Sequence, residues 1–190
     1  MNAIANPSPA KTLVIVGMPG AGKTSVGRRL AARLALPFVD SDAEVEAAAG
    51  MTVSQIFERL GEAEFRKGEK RVMARLLERP PLVLATGGGA LMDPDTRALV
   101  RERAVSVWLR ADIEVLLERT SHRNDRPLIK KDSAAQTLRE LQELREPIYA
   151  MADIVVTSDK RPADETVERV LKALKEFLSR SGKGKAVTGQ

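Results

Sequence analysis

The chain has 190 residues, 43% of them hydrophobic and 3% aromatic, with no cysteine and a formal net charge of +5. Its length favours one domain built around one core, and the lack of cysteine excludes disulfide bonds and thiolate metal sites. The positive charge favours an anionic partner, but so few aromatic rings leave little to stack on single-stranded nucleic acid, and no apolar run approaches the roughly 20 residues that span a bilayer.

Apolar runs alternate with helical patterns along the chain. Five of these runs predict strands, namely KTLVIV, FVD, PLVLA, AVSVWL and DIVVTS. The intervening patterns predict helices over about 23–35, within 42–79, from Pro94, over IEVLLERT, up to about Tyr149, and over about 163–178. Near-continuous apolar strands separated by helices are typical of a parallel sheet that is covered on both faces. We predict an α/β fold of three layers with a five-stranded parallel sheet.

Two stretches depart from this alternation. Residues 42–79 contain more helical sequence than one crossover needs, and SHRNDRPLIKKDSA, after the fourth strand and its helix, is polar and highly charged. The first favours an inserted helical segment and the second a mobile loop over about 121–132. We expect a single domain over 11–180, flanked by disordered tails at 1–10 and 181–190.

The stretch GMPGAGKT at 17–24 follows the first apolar strand and opens a helix. It fits the pattern G-x-x-x-x-G-K-[ST], in which glycines let the backbone approach phosphate groups at a helix N-terminus. The lysine of this pattern reaches the β- and γ-phosphates, and its Ser or Thr hydroxyl ligates Mg²⁺. We therefore predict that ATP with Mg²⁺ is bound by Gly20, Ala21, Gly22, Lys23, Thr24 and Ser25.

Two aspartates, Asp40 and Asp42, end the second strand. At the strand end beside the phosphate loop, Asp40 could hold the waters around Mg²⁺, and Asp42 could orient or deprotonate a hydroxyl that attacks the γ-phosphate. A plain helix cap is the alternative interpretation of this pair.

Four later motifs carry chemistry suited to an acceptor site. EAEFRKGEKRV places Arg66 on a helix, LATGGGAL ends the third strand in three glycines that offer backbone N–H groups, NDRPL carries Arg126 in the polar loop, and LREPIY carries Arg145 on a helix. Glu69, one turn from Arg66, either orients that guanidinium or belongs to the solvated helix surface.

Taken in order, GMPGAGKT, DSD, FRKGE, GGG, RPL and REPIY resemble the shikimate kinase family over about residues 11–175. The resemblance implies MgATP-dependent phosphorylation of the shikimate 3-hydroxyl, in the pathway to chorismate and the aromatic amino acids. It also implies the sheet order 2-3-1-4-5, with residues 42–79 as the substrate-binding segment and the polar loop as a lid.

The resemblance implies a role for each motif residue. Asp42 would bind the substrate hydroxyls and act as the base, and Asp40 would assist Mg²⁺. Arg66 and Arg145 would clamp the substrate carboxylate, because a guanidinium pairs bidentately with a carboxylate. Further contacts would come from the backbone of Gly88 and Gly89 at the acid, from Arg126 at the transferred phosphate, and from Arg119 and Arg161 on either side of adenine.

Other functions stay open at this level. Another small-molecule kinase of the same fold, such as a gluconate kinase, would share the phosphate loop but not the acid clamp. A nucleotide-binding module without catalysis and a basic nucleic-acid binder are alternatives of other classes, and intact Lys23, Asp42 and Arg126 argue against the module. The N-terminal residues have neither a basic start nor an apolar signal stretch. We expect a cytoplasmic monomer that binds neither nucleic acid nor a membrane.

Overall fold

The computed structural model of the protein describes residues 9–120 and 134–184. The expected lid at 121–132, including Arg126, lies outside the described residues. Within them, no helix is long and apolar enough to cross a membrane.

The core of the protein is a five-stranded sheet. Its strands are β1 (Thr12–Val16), β2 (Phe38–Asp40), β3 (Val83–Ala85), β4 (Ala104–Arg110) and β5 (Ile154–Thr157). All neighbouring pairs are parallel and the order is β2-β3-β1-β4-β5. Both the α/β class and the order 2-3-1-4-5 are therefore confirmed. Every residue of the central strand β1 is buried, as expected for a strand covered by helices on both faces.

Helices follow each strand and fill the inserted segment. They are α1 (Lys23–Leu34), α2 (Ser41–Ala49), α3 (Val53–Arg59), α4 (Glu62–Leu77), α5 (Pro94–Arg103), α6 (Ile113–Thr120), α7 (Ala134–Tyr149) and α8 (Ala163–Gly184), with a 3-10 turn at Ala90–Met92. The inserted segment consists of α2, α3 and α4, as the sequence predicted. The last helix continues to Gly184, beyond the predicted end near residue 178, because glycines lower helix propensity by about 1 kcal/mol each without forbidding a helix.

The parallel sheet brings the carboxyl ends of β1, β2 and β3 to one edge. The phosphate loop leaves β1 there, α2 begins directly after β2, and the three glycines follow β3. Thr52 starts α3 with a capping box, in which its hydroxyl accepts from the backbone N–H of Gln55 while the Gln55 side chain accepts from the N–H of Thr52. This cap stabilises the first turn of α3.

Candidate active site

A cavity of about 820 Å³ opens at the carboxyl edge of the sheet. Its walls come from the phosphate loop, the inserted helices α2 to α4, the loop after β3, and the facing residues of α6, α7 and α8. This volume is typical of a small-molecule site, and the location is where open parallel sheets bind ligands.

The phosphate loop has the backbone that its glycines predicted. Gly17, Gly20 and Gly22 adopt φ angles of 147°, 88° and 91°, which residues with a side chain rarely reach. The Lys23 ammonium folds back over the loop and donates to the carbonyls of Gly17 (2.8 Å) and Met18 (3.0 Å). The loop therefore presents a lysine and a helix N-terminus together, the arrangement that binds nucleotide phosphates.

Five of the six predicted phosphate-loop residues line the cavity: Gly20, Gly22, Lys23, Thr24 and Ser25. Ala21 is fully buried behind the loop and is absent from the cavity wall, so its side chain packs in the core. Only its backbone is placed for a phosphate contact.

Thr24 and Asp40 are brought together as the metal prediction required. The Thr24 hydroxyl donates to Oδ2 of Asp40 at 2.9 Å, and both residues line the cavity. Hydroxyl and carboxylate oxygens are donors that suit Mg²⁺, which is commonly held by one or two protein groups together with phosphates and water. The donor set therefore fits the ion. The described residues contain no cluster of three or more His, Cys, Asp or Glu side chains that could hold a metal by themselves.

The helix-cap interpretation of the aspartate pair is correct for one of the two. Asp40 is the N-cap of α2, and its Oδ1 accepts from the backbone N–H of Asp42 at 3.1 Å. One carboxylate thus caps the helix with one oxygen and meets Thr24 with the other. Asp42 is left to face the cavity from the first turn of α2.

The three glycines after β3 leave room for four charged side chains. A Cβ on Gly87 would lie 2.5 Å from Oδ1 of Asp42 and 2.6 Å from Oε1 of Glu69. The sequence explained these glycines only by their exposed N–H groups. The structure adds a steric reason, since any side chain at 87 would displace the carboxylates.

The next two glycines make room for the guanidinium groups in the same way. A Cβ on Gly88 would lie 2.8 Å from Nη1 of Arg145, and one on Gly89 would lie 2.6 Å from Cζ of Arg66. The two predicted clamp arginines therefore converge on adjacent backbone positions, with the carboxylates of Asp42 and Glu69 one residue before them.

Glu69 holds Arg66, which confirms the orienting interpretation over the surface one. Its Oε2 accepts from Nη1 of Arg66 at 2.7 Å, and its side chain is only 4% exposed. Glu62 accepts from Nη2 of the same guanidinium at 3.0 Å from the solvent side. Arg145 is buried, and its Nε has no hydrogen-bond partner among the described residues. Both cations therefore face the cavity in fixed positions.

The two buried carboxylates of the site, Asp42 and Glu69, both have raised pKa values. Burial and, next in size, the nearby charge of Glu69 together raise the pKa of Asp42 from 3.8 to about 6, although Lys23 opposes the shift. Burial also raises the pKa of Glu69, although Arg66 and Arg145 oppose that shift. A carboxylate with a pKa near 6 is a suitable proton acceptor at neutral pH.

One residue passed over by the sequence analysis supports the glycine loop. Ser41, between the two aspartates, is fully buried, and its hydroxyl accepts from the N–H of Gly87 at 3.0 Å. The only feature of the sequence that could have indicated this role is the position of Ser41, between two carboxylates at the end of a strand, from which its side chain can point back into the sheet.

The nucleotide end of the cavity contains Arg119 but not Arg161. Nη1 of Arg119 donates to Oγ of Ser158 (3.1 Å) and to the carbonyl of Gly20 (3.4 Å), so it joins the phosphate loop to the segment after β5. Arg161 pairs with Asp159, its side chain is 59% exposed, and it is absent from the cavity wall. Arg161, which was expected to contact adenine, therefore lies outside the cavity wall in this structure.

Comparison with known proteins identifies the relatives of this chain. The sequence model of one family, described as shikimate kinase, matches residues 19–175. A shikimate kinase of Paramagnetospirillum magneticum is 55% identical over 168 residues, which is 88% of this chain and 86% of that protein.

Solved structures agree with the sequence match. A shikimate kinase from Acinetobacter baumannii, in complex with shikimate, is 36% identical with a TM-score of 0.86, covering 89% of this chain and 95% of that one. A gluconokinase from Sinorhizobium meliloti covers 94% of this chain and 99% of its own, but at 22% identity and a TM-score of 0.63 it shares the fold alone.

Proposed function

This chain belongs to the shikimate kinase family, and from that premise we infer that it is an ATP-dependent kinase that phosphorylates the 3-hydroxyl of shikimate. The observation that carries this inference is the convergence of Arg66 and Arg145 on Gly89 and Gly88, beside the Asp42 carboxylate. Two guanidinium groups at one point select an anionic acceptor, and a carboxylate next to them can take a hydroxyl proton.

We assign acceptor binding to the clamp arginines and the glycine loop. Arg66 and Arg145 would pair with the carboxylate of shikimate, and the backbone of Gly88 and Gly89 would contact the same molecule. Because Glu69 fixes Arg66 and burial fixes Arg145, the clamp is largely formed before the acid arrives. A preorganised clamp lowers the entropic cost of binding.

We assign the proton transfer to Asp42. Its carboxylate would orient the 3-hydroxyl and accept the proton of that hydroxyl as the oxygen attacks the γ-phosphorus of ATP. The bond from the γ-phosphorus to the β,γ-bridging oxygen would break, and ADP would be released as the second product. Phosphoryl transfer of this kind depends mainly on positioning and charge neutralisation, so the base needs only a modest pKa.

We assign the nucleotide to the phosphate loop. Lys23 and the N–H groups at the start of α1 would hold the phosphates, and Arg119 would flank adenine. Thr24 and Asp40 would hold Mg²⁺, which supplies charge neutralisation at the β- and γ-phosphates. By family resemblance we also propose that Arg126, which lies outside the described residues, contacts the transferred phosphate. We propose in the same way that Arg161 contacts adenine, for which it would have to break its ion pair with Asp159.

The remaining expectations are proposals as well. We propose that the protein acts in the cytoplasm as a monomer, and that its tails lie outside the catalytic domain. Its positive charge then serves two anionic substrates rather than nucleic acid or a membrane.

A coupled assay of ADP release tests the function directly. Shikimate should support turnover, whereas gluconate and other sugar acids should be poor acceptors, as membership of the shikimate kinase family implies. Faster turnover with gluconate would overturn the assignment.

Lys23→Ala should abolish tight nucleotide binding. If the native protein bound nucleotide but released no ADP with any acid, a non-catalytic module would be favoured instead.

A further inference from the structure

Tyr149 lies behind the cavity wall, and its hydroxyl contacts the backbone of both the phosphate loop and the glycine loop after β3. It is the last residue of α7, its side chain is 1% exposed, and its ring packs 6.0 Å from that of Trp108, centroid to centroid. Its hydroxyl donates to the carbonyl of Gly88 in a short hydrogen bond, and the carbonyl of Gly17 lies 3.4 Å away. The ring contributes to the core, whereas the hydroxyl reaches the glycine loop.

The hydroxyl of Tyr149 is a donor throughout the neutral pH range. Burial raises its pKa to about 12, so the proton stays in place. A hydroxyl has one proton to give, and the carbonyl of Gly88 is the nearer of its two acceptors. The carbonyl of Gly17 also accepts a hydrogen bond from the Lys23 ammonium at 2.8 Å, so this carbonyl keeps a partner without Tyr149.

This bond fixes the peptide between Gly88 and Gly89. In a planar trans peptide the C=O of one residue and the N–H of the next point in opposite directions. With the carbonyl of Gly88 held towards buried Tyr149, the N–H of Gly89 points away from the core, on the side of the cavity that both glycines line. Glycine on both sides of the peptide makes a flip sterically easy, so an external hydrogen bond is needed to set its direction.

We propose that Tyr149 is a positioning residue for the acceptor: its hydroxyl holds the Gly88–Gly89 peptide so that the N–H of Gly89 is presented to the bound acid. The inference rests on the proposed function, because it assigns the glycine loop to acceptor binding. The proposal predicts that loss of the Tyr149 hydroxyl weakens shikimate binding but not nucleotide binding, although the hydroxyl touches no reacting atom.

Tyr149→Phe removes the hydroxyl, together with its contact to the Arg145 guanidinium, while the ring and its packing on Trp108 remain. We expect calorimetry to show roughly tenfold weaker shikimate binding, the loss expected from one hydrogen bond, with ADP binding unchanged within about twofold. In the assay the KM for shikimate should rise by a similar factor while the KM for ATP stays constant. Ser106→Ala is the matched control, because it removes a buried hydroxyl that donates to Asp153 away from the cavity.

The outcomes separate the inference from the function beneath it. Equal losses for shikimate and ADP, or no loss for either, would overturn the role of Tyr149. A native protein that fails to bind shikimate would overturn the proposed function instead. A measurement without any variant adds a second test: in ¹⁵N-glycine-labelled native protein, which has 13 glycines, the Gly89 amide resonance should shift on adding shikimate, and an unmoved resonance would contradict the proposal.

Discussion

Asp42 and Glu69 meet across the space that Gly87 leaves empty. Oδ1 of Asp42 and Oε1 of Glu69 lie 2.5 and 2.6 Å from the point where a Cβ on Gly87 would stand. Neither oxygen has a hydrogen-bond partner among the described residues. Two buried carboxylates placed so closely disfavour each other's charge, and under the proposed function a substrate hydroxyl that donates to one of them would relieve the cost.

The pH dependence of turnover should report this pair. Asp42 must be unprotonated to accept a proton, and its pKa in the free protein is about 6. We expect kcat/KM for shikimate to be flat near pH 7.5 and to fall about tenfold per pH unit well below pH 6. A profile that stays level down to pH 5 would contradict the role of Asp42.

Glu69→Gln provides the control for that profile. Removing the Glu69 charge removes the second-largest cause of the raised Asp42 pKa, so the acid limb should move to lower pH. If the fall of kcat/KM at low pH stayed at the same pH in this variant, it would have to be assigned to the titration of a group other than Asp42.

Asp42→Asn should abolish turnover and yet stabilise the ligand-free protein above neutral pH. The folded-state pKa of Asp42 lies above the ordinary 3.8, so its contribution to stability is fully present below about pH 4 and is lost as pH rises through about 6. Asparagine carries no charge and avoids that loss, which amounts to about 1 to 3 kcal/mol. Denaturant unfolding of both proteins from pH 4 to 8, without nucleotide or Mg²⁺, should show the gap opening between pH 4 and 7. A gap independent of pH would exclude this explanation.

The fold was largely predictable because its signals are local. Apolar runs bounded by glycines and charges predicted all five strands, and the phosphate loop was recognisable from a pattern whose residues adjoin along the chain. Strand order was not derivable from periodicity, because pairing of β1 with β3 and β4 depends on contacts between distant segments; it was available only through family resemblance.

Sequence motifs pointed to individual candidate residues of the site but not to their arrangement. The contact between Thr24 and Asp40 was expected, because both lie at the sheet edge that binds nucleotides. The contact of Tyr149 with Gly88 was not, because the two residues are 61 positions apart and nothing local marks the contact. Likewise, local sequence marks a glycine as flexible without revealing which side chains will fill the space beside it.

Arg66 has a structural role as the partner of Glu69 and a proposed role in binding the acid, and a double-mutant cycle separates the two. Arg66→Ala should remove most shikimate affinity, and it should also cost about 1 to 3 kcal/mol of stability because the buried Glu69 carboxylate loses its ion pair. Adding Glu69→Gln should restore most of the stability but not the affinity. Denaturant unfolding and calorimetry on the four proteins measure both quantities, and a double variant that binds shikimate as well as the native protein would refute the clamp.

Thr24→Val should raise the Mg²⁺ concentration needed for half-maximal turnover by several-fold. The hydroxyl is a proposed ligand, and its removal leaves the backbone of the phosphate loop intact. Asp40 is a less clear probe, because its carboxylate also caps α2 and its loss would cost about 1 kcal/mol of helix stability. ADP binding without Mg²⁺ is the control and should be unchanged. An unaltered Mg²⁺ requirement would exclude Thr24 as a ligand.

Gly89→Ala should remove acid binding while leaving nucleotide binding intact, because a Cβ there would lie 2.6 Å from Cζ of Arg66 and force the guanidinium out of place. Gly68→Ala, in the same helix as Arg66, is the matched control. Its Cβ would meet only Cγ1 of Val45, at 3.9 Å, so it should bind both substrates normally and gain about 0.5 to 1 kcal/mol of stability from higher helix propensity. Calorimetry with shikimate and with ADP distinguishes the two variants. Native-like binding of shikimate by Gly89→Ala would mean that the Arg66 guanidinium can move aside. Because the ion pair with Glu69 is expected to prevent that movement, this result would contradict a preformed clamp.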